Sequence, residues 1–409
     1  MTFKELNLHS TILESLDAVG FESPTPVQEQ AIPIVIDNND IIAVAQTGTG
    51  KTAAFLIPVL HKLLTEDHPQ EGIKALVITP TRELAVQIDK EMEGFSYFTN
   101  CTSLAVYGGG DRRAFEAEKK AFTHGVDIII ATPGRMKSHM NLGYVNTKNL
   151  KFLILDEADR MLDMGFHDDI LKIIEKLPKK RQNLLFSATM PPDIRKLAKA
   201  VMNEPKEINI AISKPAEGVL QLVYLVNDKH KVRLAESLLK EKDLKSVLIF
   251  ASTKKNVDIL ARSLKKKGMN AAAIHSDLTQ DEREETLRLF RARKINQLVA
   301  TDIMARGIDI KEIDLVINYE VPSDASDYVH RVGRTARASA TGIAITFVNE
   351  NDMNNFHKIE QLIDTKIFKQ KIPAEIGESP EWRVGYRKSG GSRKPNFKNK
   401  RSNNNRPKK

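Results

Sequence analysis

AVAQTGTGKT, Ala43 to Thr52, lies between a short apolar run (DIIAVA, Asp40 to Ala45) and a segment with apolar residues at helical spacing, KTAAFLIPVLHKLL. Strand, glycine-bearing loop and helix together are the setting of a phosphate-binding loop, G-x-x-x-x-G-K-[ST]. Gly48 and Gly50 permit a tight turn whose N–H groups face phosphate oxygens. Lys51 supplies charge near the terminal phosphates, and Thr52 offers a hydroxyl to Mg²⁺. One position departs from the general pattern: Ala45 stands where the first glycine is expected. The competing reading is a G-K-T in a flexible turn; the strand before it and the helix after it argue against that.

Outward from this loop the same alternation continues. KALVITP, VDIIIATP, KFLILDEAD and QNLLFSAT are short apolar runs separated by helical patterns. Continuous apolar strands between helices predict a mainly parallel sheet covered on both faces, an α/β fold. The pattern breaks at NEPKEINIAISKPAEG, whose last part reads as a linker, then restarts with LQLVYLV, SVLIFAS, AAAIHSD, QLVATDI, DLVINYE and GIAITFV. The second half echoes the first: ALVITPTRELA is like VLIFASTKKNVDILA, and DIIIATPGR is like QLVATDIMARG. The expected division is a first domain over 1–211, a linker at 212–218, a second domain over 219–372 and a tail over 373–409. No G-K-T follows a strand in the second half, so only the first domain is expected to hold nucleotide phosphates.

The 409 residues are 41% hydrophobic, a globular value, and carry a net charge of +9. Arg387 to Lys409 holds ten Lys or Arg and no acid; taking ten from +9 leaves the rest at −1. The basic character therefore belongs to a low-complexity tail, expected to be disordered and suited to an anionic polymer or surface. A solubilising tail with no partner is the plainer alternative. The single cysteine, Cys101, allows no intramolecular disulfide and no cysteine-based metal site, which favours a reducing, cytoplasmic setting. MTFKELNLHS has charges where a signal peptide needs an apolar core, and no uncharged apolar run approaches about 18 residues, so no membrane span is expected. Coiled-coil heptads are absent, and a monomer is expected.

Two further segments carry chemistry. In KFLILDEADR an apolar strand delivers Asp156 and Glu157 at its end, where a parallel sheet places its ligand. Asp156 is suited to hold Mg²⁺ through water, and Glu157 to orient and deprotonate an attacking water. Acids capping a helix are the alternative, which loses weight once a phosphate loop precedes them in the same domain. HRVGRTAR brings His330, Arg331, Arg334 and Arg337 into eight residues. Arginines of this kind stabilise charge developing on a transferred γ-phosphate, and here they lie in the other domain from the loop. A solvated basic helix face or a contact to a phosphate backbone is the alternative.

These segments resemble the DEAD-box RNA helicases of superfamily 2, named for the tetrapeptide seen here as Asp156-Glu157-Ala158-Asp159. The resemblance runs from about Phe3 to Phe347 and implies two tandem RecA-like domains binding ATP, Mg²⁺ and RNA. GFESPTPVQ resembles an adenine-recognising motif, with Gln28 on the base edge and Phe3 and Phe21 as aromatics. AQTGTGKT resembles the family's own form of the phosphate loop, which implies ATP contacts from Ala45, Gln46, Thr47, Gly48, Thr49, Gly50, Lys51 and Thr52. The departure at Ala45 is thus the family's usage. PTRELA, the Gly108-Gly109 pair, TPGR, Q-x-x-R and the TD of TDIMARGID resemble RNA-path motifs. They imply RNA contacts from Pro80, Thr81, Arg82, Gly108, Gly109, Thr132, Pro133, Gly134, Arg135, Arg283, Thr301 and Asp302. The same resemblance implies ATP contacts from Gly307 and Asp309, catalytic roles for Lys51, Asp156, Glu157, His330, Arg334 and Arg337, and a link from hydrolysis to unwinding through Ser187 and Thr189 with Asp159. Ala336 replaces the commoner glycine of GRTGR, and DEADRMLDMGF is similar to the bacterial RhlE-type branch.

The expected activity is RNA-stimulated ATP hydrolysis with local, non-processive unwinding of short RNA duplexes. An ATP-dependent RNA clamp or RNP-remodelling scaffold shares the same motifs and stays open at this point. A DNA translocase shares the two-domain ATPase; the family pattern disfavours it. Ribosome-assembly and RNA-decay proteins are open as partners.

Overall fold

The computed structural model of the chain describes residues 1–45, 48–69, 71–110, 112–210, 219–240, 244–301, 313–335 and 342–384, without the side chains at 326 and 330. The expected linker at 212–218 and the basic tail from 385 onward lie outside these residues. The strands of the first half are β1 (Ile41–Val44), β2 (Ala75–Ile78), β3 (Ser103–Val106), β4 (Ile128–Ala131), β5 (Phe152–Leu155), β6 (Gln182–Ser187) and β7 (Lys206–Asn209). Those of the second half are β8 (Val219–Leu225), β9 (Val247–Phe250), β10 (Ala271–Ile274), β11 (Gln297–Ala300), β12 (Leu315–Asn318), β13 (Gly342–Val348) and β14 (Lys369–Lys371).

They form two seven-stranded sheets, ordered β3-β4-β2-β5-β6-β1-β7 and β10-β11-β9-β12-β13-β8-β14. Every pairing is parallel. Strand for strand the second order repeats the first, and β2 corresponds to β9 and β4 to β11, the two echoes read in the sequence. The central strands are mainly apolar because their faces feed two cores. Ala75, Val77, Phe152 and Ile154 point into one, and Leu76, Ile78, Leu153 and Leu155 into the other. Helices cover both faces, as a buried parallel sheet requires.

Parallel strands all present their C-terminal ends at one edge, and β1, β5 and β6 lie side by side in the first sheet. Their C-terminal ends carry the phosphate loop, Asp156-Glu157 and Ser187-Ala188-Thr189, so the sheet gathers these three segments at one edge. No helix among the described residues is long and apolar enough to cross a membrane.

The second domain extends further than the sequence reading placed it. Residues 373–384, assigned there to the tail, pack on the second sheet. Ile376 is buried in the same core as Tyr319 and Phe347. Trp382 meets the Phe356 ring edge-on at 6.3 Å and lies 4.5 Å from Lys369 Nζ. Arg233 Nη2 donates to Glu375 O at 3.1 Å, and Ile372 N donates to Ser379 Oγ at 2.8 Å. The composition hid this because PAEIGESPEW contributes only scattered apolar anchors between prolines and acids. Ending the chain after Ile372 is expected to cost the second domain roughly 3 kcal/mol, the burial of one aliphatic and one aromatic side chain. Ending it after Val384 leaves stability unchanged. Equal thermal unfolding midpoints for the two truncations would overturn this.

Candidate nucleotide site and RNA cleft

The phosphate loop is built at the end of β1. Ala45 keeps the chain in the sheet, its N–H donating to Ser187 O at 3.0 Å, so the entry position is buried and paired. Gly50 then takes φ +90°, and a Cβ there would sit 2.3 Å from Gln28 Nε2. That close approach and the left-handed backbone both require glycine. The helix Lys51–Thr65 starts immediately, with its N-terminal N–H groups and positive dipole end at the loop. Lys51 is buried at 7% exposure, and its Nζ has no hydrogen-bond partner among the described residues. A buried ammonium without an acceptor is costly unless an anion completes it, and phosphate is the anion this turn suits.

Lys51 faces a cavity of about 420 Å³ that Phe21, Gln28, Gly48, Gly50, Thr52, Asp156, Glu157 and Arg334 also line. Arg334 comes from the second domain, so the two domains share this cavity. The helix Arg82–Phe95 closes the far side with Leu84, Gln87, Lys90, Glu91, Gly94 and Phe95. Motif reading missed this wall, although the amphipathic spacing of RELAVQIDKEMEGF announces a helix with two working faces.

Burial pushes the Asp156 carboxyl up to about 7; nearby Glu157 adds to this, while Lys51 opposes it. Asp156 and the Thr52 hydroxyl are hard oxygen donors, a set that fits Mg²⁺. No cluster of three or more His, Cys, Asp or Glu capable of holding a metal occurs among the described residues. Phosphate and water would therefore complete the coordination, the usual mode for this ion. Burial also pushes Glu157 up, but Arg160, Lys51 and Arg334 outweigh it and hold its carboxyl below the usual range. Glu157 sits at φ +51° as the cap of the helix Ala158–Asp163, with its carboxylate ion-paired to Arg160.

Ser187 and Thr189 stand behind the cavity and tie to Asp159. Asp159 N donates to Ser187 Oγ at 3.2 Å, and Thr189 donates to Asp159 Oδ2 from N at 2.9 Å and from Oγ1 at 2.8 Å. This is the contact the sequence reading placed between these segments. Gln28, which lines the cavity, also braces the loop. Its Nε2 donates to Gly50 O at 3.0 Å and its Oε1 accepts from Thr25 N at 2.9 Å, so the amide fastens the loop to the helix Pro26–Ile36. Phe3 does not line the cavity; it is buried with its ring 6.2 Å from Phe21, which does.

At the corresponding place in the second sheet a lysine is also buried: Lys231, in the first turn of the helix after β8, is 1% exposed. It is already ion-paired with Asp228 at 2.8 Å and Asp352 at 4.0 Å, and Tyr319 covers it.

A second cleft, about 470 Å³, runs along the same sheet edges, with Pro80, Thr81, Arg82, Gly108, Thr132, Gly134 and Arg135 on one side and Arg283 on the other. Thr81 caps the helix Arg82–Phe95 by accepting from Leu84 N at 3.3 Å. Gly109, at φ +89°, lies under the Arg82 guanidinium, which a Cβ would meet at 2.1 Å. Pro133 is the buried first residue of the helix Pro133–Asn141, and Thr301 is half-buried just beyond β11; neither lines the cleft. Arg283 donates from Nη2 to Ser276 O at 2.7 Å. Met164 and Phe166 add apolar surface that motif reading did not include. Gln46, Thr47, Asp302, Gly307, Asp309 and Arg337 lie outside the described residues, as does the side chain of His330. Arg331, read in the sequence beside Arg334, is instead a buried anchor: Nη1 donates to Asn318 Oδ1 at 3.2 Å and to Glu320 O at 3.0 Å.

Comparison with known proteins agrees with this layout. Residues 25–197 match the DEAD/DEAH box helicase model, and residues 230–339 match the helicase conserved C-terminal domain. The chain is 41% identical over 374 residues to the ATP-dependent RNA helicase CshA of Limosilactobacillus reuteri, covering 91% of this chain and 74% of that one. It is 40% identical over 373 residues to the DEAD-box ATP-dependent RNA helicase CshA of Geobacillus kaustophilus, covering 91% and 79%. Among solved structures, S. cerevisiae Dbp5 bound to RNA and ADP BeF3 superposes with a TM-score of 0.81 at 30% identity, covering 90% of this chain and 95% of that one. With the paired sheets, the shared cavity and these matches together, the chain belongs to the DEAD-box family of ATP-dependent RNA helicases.

Proposed function

We propose that the protein hydrolyses ATP in the cavity between its domains only when RNA in the adjoining cleft holds the domains together, and that closure pries short RNA duplexes apart locally. One observation carries this reading: Arg334 of the second domain lines the same cavity as Lys51, Asp156 and Glu157 of the first. Half the machinery for phosphoryl transfer lies on each domain, so separation of the domains disables it.

In this reading Lys51 and the N–H groups at the start of its helix hold the β- and γ-phosphates. Thr52, and Asp156 through water, would hold Mg²⁺, which would supply positive charge against that of the phosphates. Glu157, kept ionised by its three cationic neighbours, orients the attacking water and takes its proton. Arg334 stabilises the charge that develops on the γ-phosphate. Asp159 bonds both Ser187 and Thr189, so a shift at Glu157 is passed to the end of β6. In the cleft, small residues and N–H groups at strand ends suit sugar-phosphate contacts that carry no sequence information. The RhlE-type branch rests on DEADRMLDMGF alone.

The test is ATP turnover with and without single-stranded RNA, paired with displacement of a short RNA duplex. RNA is expected to raise turnover many-fold, single-stranded DNA much less, and the short duplex to separate in the presence of ATP. Turnover indifferent to RNA would sink the coupling. RNA-stimulated turnover without strand separation would favour the clamp.

The basic segment Arg387 to Lys409 is proposed to add RNA affinity by counterion release. Deleting it is expected to weaken RNA binding several-fold at low salt and to flatten the dependence of affinity on salt. An unchanged salt slope would leave it a solubilising tail.

A further inference from the structure

Arg135 does not stand free in the RNA cleft. Its Nε donates to Glu118 Oε2 at 2.7 Å, and its guanidinium lies 4.5 Å from the Phe115 ring. The same Glu118 oxygen meets His139 Nε2 at 2.7 Å, and His139 Nδ1 meets the Tyr144 hydroxyl. His139 is fully buried, stacked on Phe115 at 4.4 Å and tilted against Phe122 at 5.0 Å.

Donors and acceptors match along this whole chain. With a proton on Nε2, His139 donates to Glu118 and meets the Tyr144 hydroxyl at Nδ1, and Arg135 donates from Nε to the same carboxylate. No polar atom on the path from Tyr144 to Arg135 Nε is left unmade. Beyond it, Arg135 Nη2 is buried without a hydrogen-bond partner among the described residues, while the side chain as a whole is 13% exposed and lines the cleft. The guanidinium is thus fixed through Nε and ring stacking at the edge of the cleft.

The position in the fold gives this chain a purpose. Glu118, Phe115 and Phe122 belong to the helix Arg112–His124, which follows the Gly108-Gly109 turn. Arg135 and His139 belong to the helix Pro133–Asn141, which follows Thr132. The two turns leave neighbouring strands, β3 and β4, and both border the RNA cleft. We propose that Tyr144, His139 and Glu118 are positioning residues for RNA binding: they lock Arg135 in one orientation and fix the spacing of the two turns that grip the RNA backbone. The proposal rests on the RNA-binding reading of Arg135. It predicts that an orienting shell behind the cleft, outside the motifs, sets RNA affinity.

The test is a double-mutant cycle in the full chain, read as the RNA concentration giving half-maximal ATPase. Arg135→Gln is expected to raise that concentration about tenfold or more, the effect of one charge-assisted hydrogen bond. Glu118→Gln is expected to raise it by a similar factor while the KM for ATP at saturating RNA stays the same. The double variant is expected to be no worse than Arg135→Gln alone. Tyr144→Phe, which removes only the distal hydroxyl, is expected to shift it about two- to threefold in the same direction. It keeps the proposal testable should Glu118→Gln unfold. An Arg135→Gln protein with normal RNA dependence would overturn the RNA reading of Arg135. A strong Arg135→Gln effect, with Glu118→Gln and Tyr144→Phe silent or additive with it, would overturn the positioning proposal alone.

Discussion

Replacing Arg334 with Gln is expected to lower ATP turnover at saturating RNA by roughly 10³-fold or more, the range seen when a catalytic arginine is lost from phosphoryl transfer. ATP binding should change little, because Lys51 and the loop N–H groups come from the other domain. The size of the effect follows from how firmly the side chain is placed. Three residues before it, Arg331 is bonded to Asn318 and Glu320 and lies 5.1 Å from the Phe250 ring. One residue after it, Thr335 donates to Ile313 O at 2.6 Å. The backbone on both sides of Arg334 is therefore fastened to the second sheet, and the guanidinium moves as that domain moves. A group so pre-organised costs little reorganisation when charge develops. Arg334→Lys keeps the charge but loses the planar fork, so it should recover only part of the rate. The rival reading is a phosphate-backbone contact. It predicts weaker RNA binding with turnover restored at saturating RNA, and that outcome would remove Arg334 from the catalytic set.

The sequence was legible where physics made its signal redundant. Most central strands are apolar on both faces because both faces are buried, so β1, β2, β4, β5 and β6 stood out, as did β9 and β11 to β13. The partly buried β8 and the edge strand β10 stood out by their Leu, Val, Ala and Ile content; the other three edge strands did not. β3, β7 and β14 bury little of their length, and Lys206, Glu207 and Asn209 of β7 are exposed, so KEIN reads as loop. The phosphate loop and the acids after β5 were legible because their chemistry demands particular residues. The wall formed by Leu84, Gln87 and Phe95 was not, since a helix face that lines a cavity looks like one that packs a core. Arg331, Arg334 and Arg337 look alike in HRVGRTAR; only tertiary contacts separate the buried anchor Arg331 from Arg334. The contact of Gln28 with Gly50 was likewise out of reach of the sequence, since the residue type suits a base edge and says nothing of a second partner.

Glu157→Gln is expected to cut ATP turnover by about 10²–10⁴-fold, the contribution of a positioned general base, while ATP and RNA still bind. The substitution preserves shape, and glutamine tolerates the φ of +51° no worse than glutamate does. What it removes is a carboxylate able to take a proton. The environment keeps Glu157 ready for that task. Burial pushes its carboxyl up, yet Arg160, Lys51 and Arg334 outweigh this and hold it below its usual range, so it is ionised at neutral pH. Asp156 is pushed the other way, up to about 7, partly by the negative charge of Glu157 itself. Two adjacent carboxyls are thus driven apart, which suits the separate roles proposed for them, Glu157 as base and Asp156 beside the metal. Taking the charge from Glu157 relieves Asp156 while costing the ion pair with Arg160, so the net change in stability should be small. If hydrolysis is what reopens the domains, the variant should also hold RNA in the presence of ATP far longer than the parent does. Normal turnover in Glu157→Gln would move the base elsewhere. Slow turnover with RNA released at the parent rate would separate hydrolysis from domain opening.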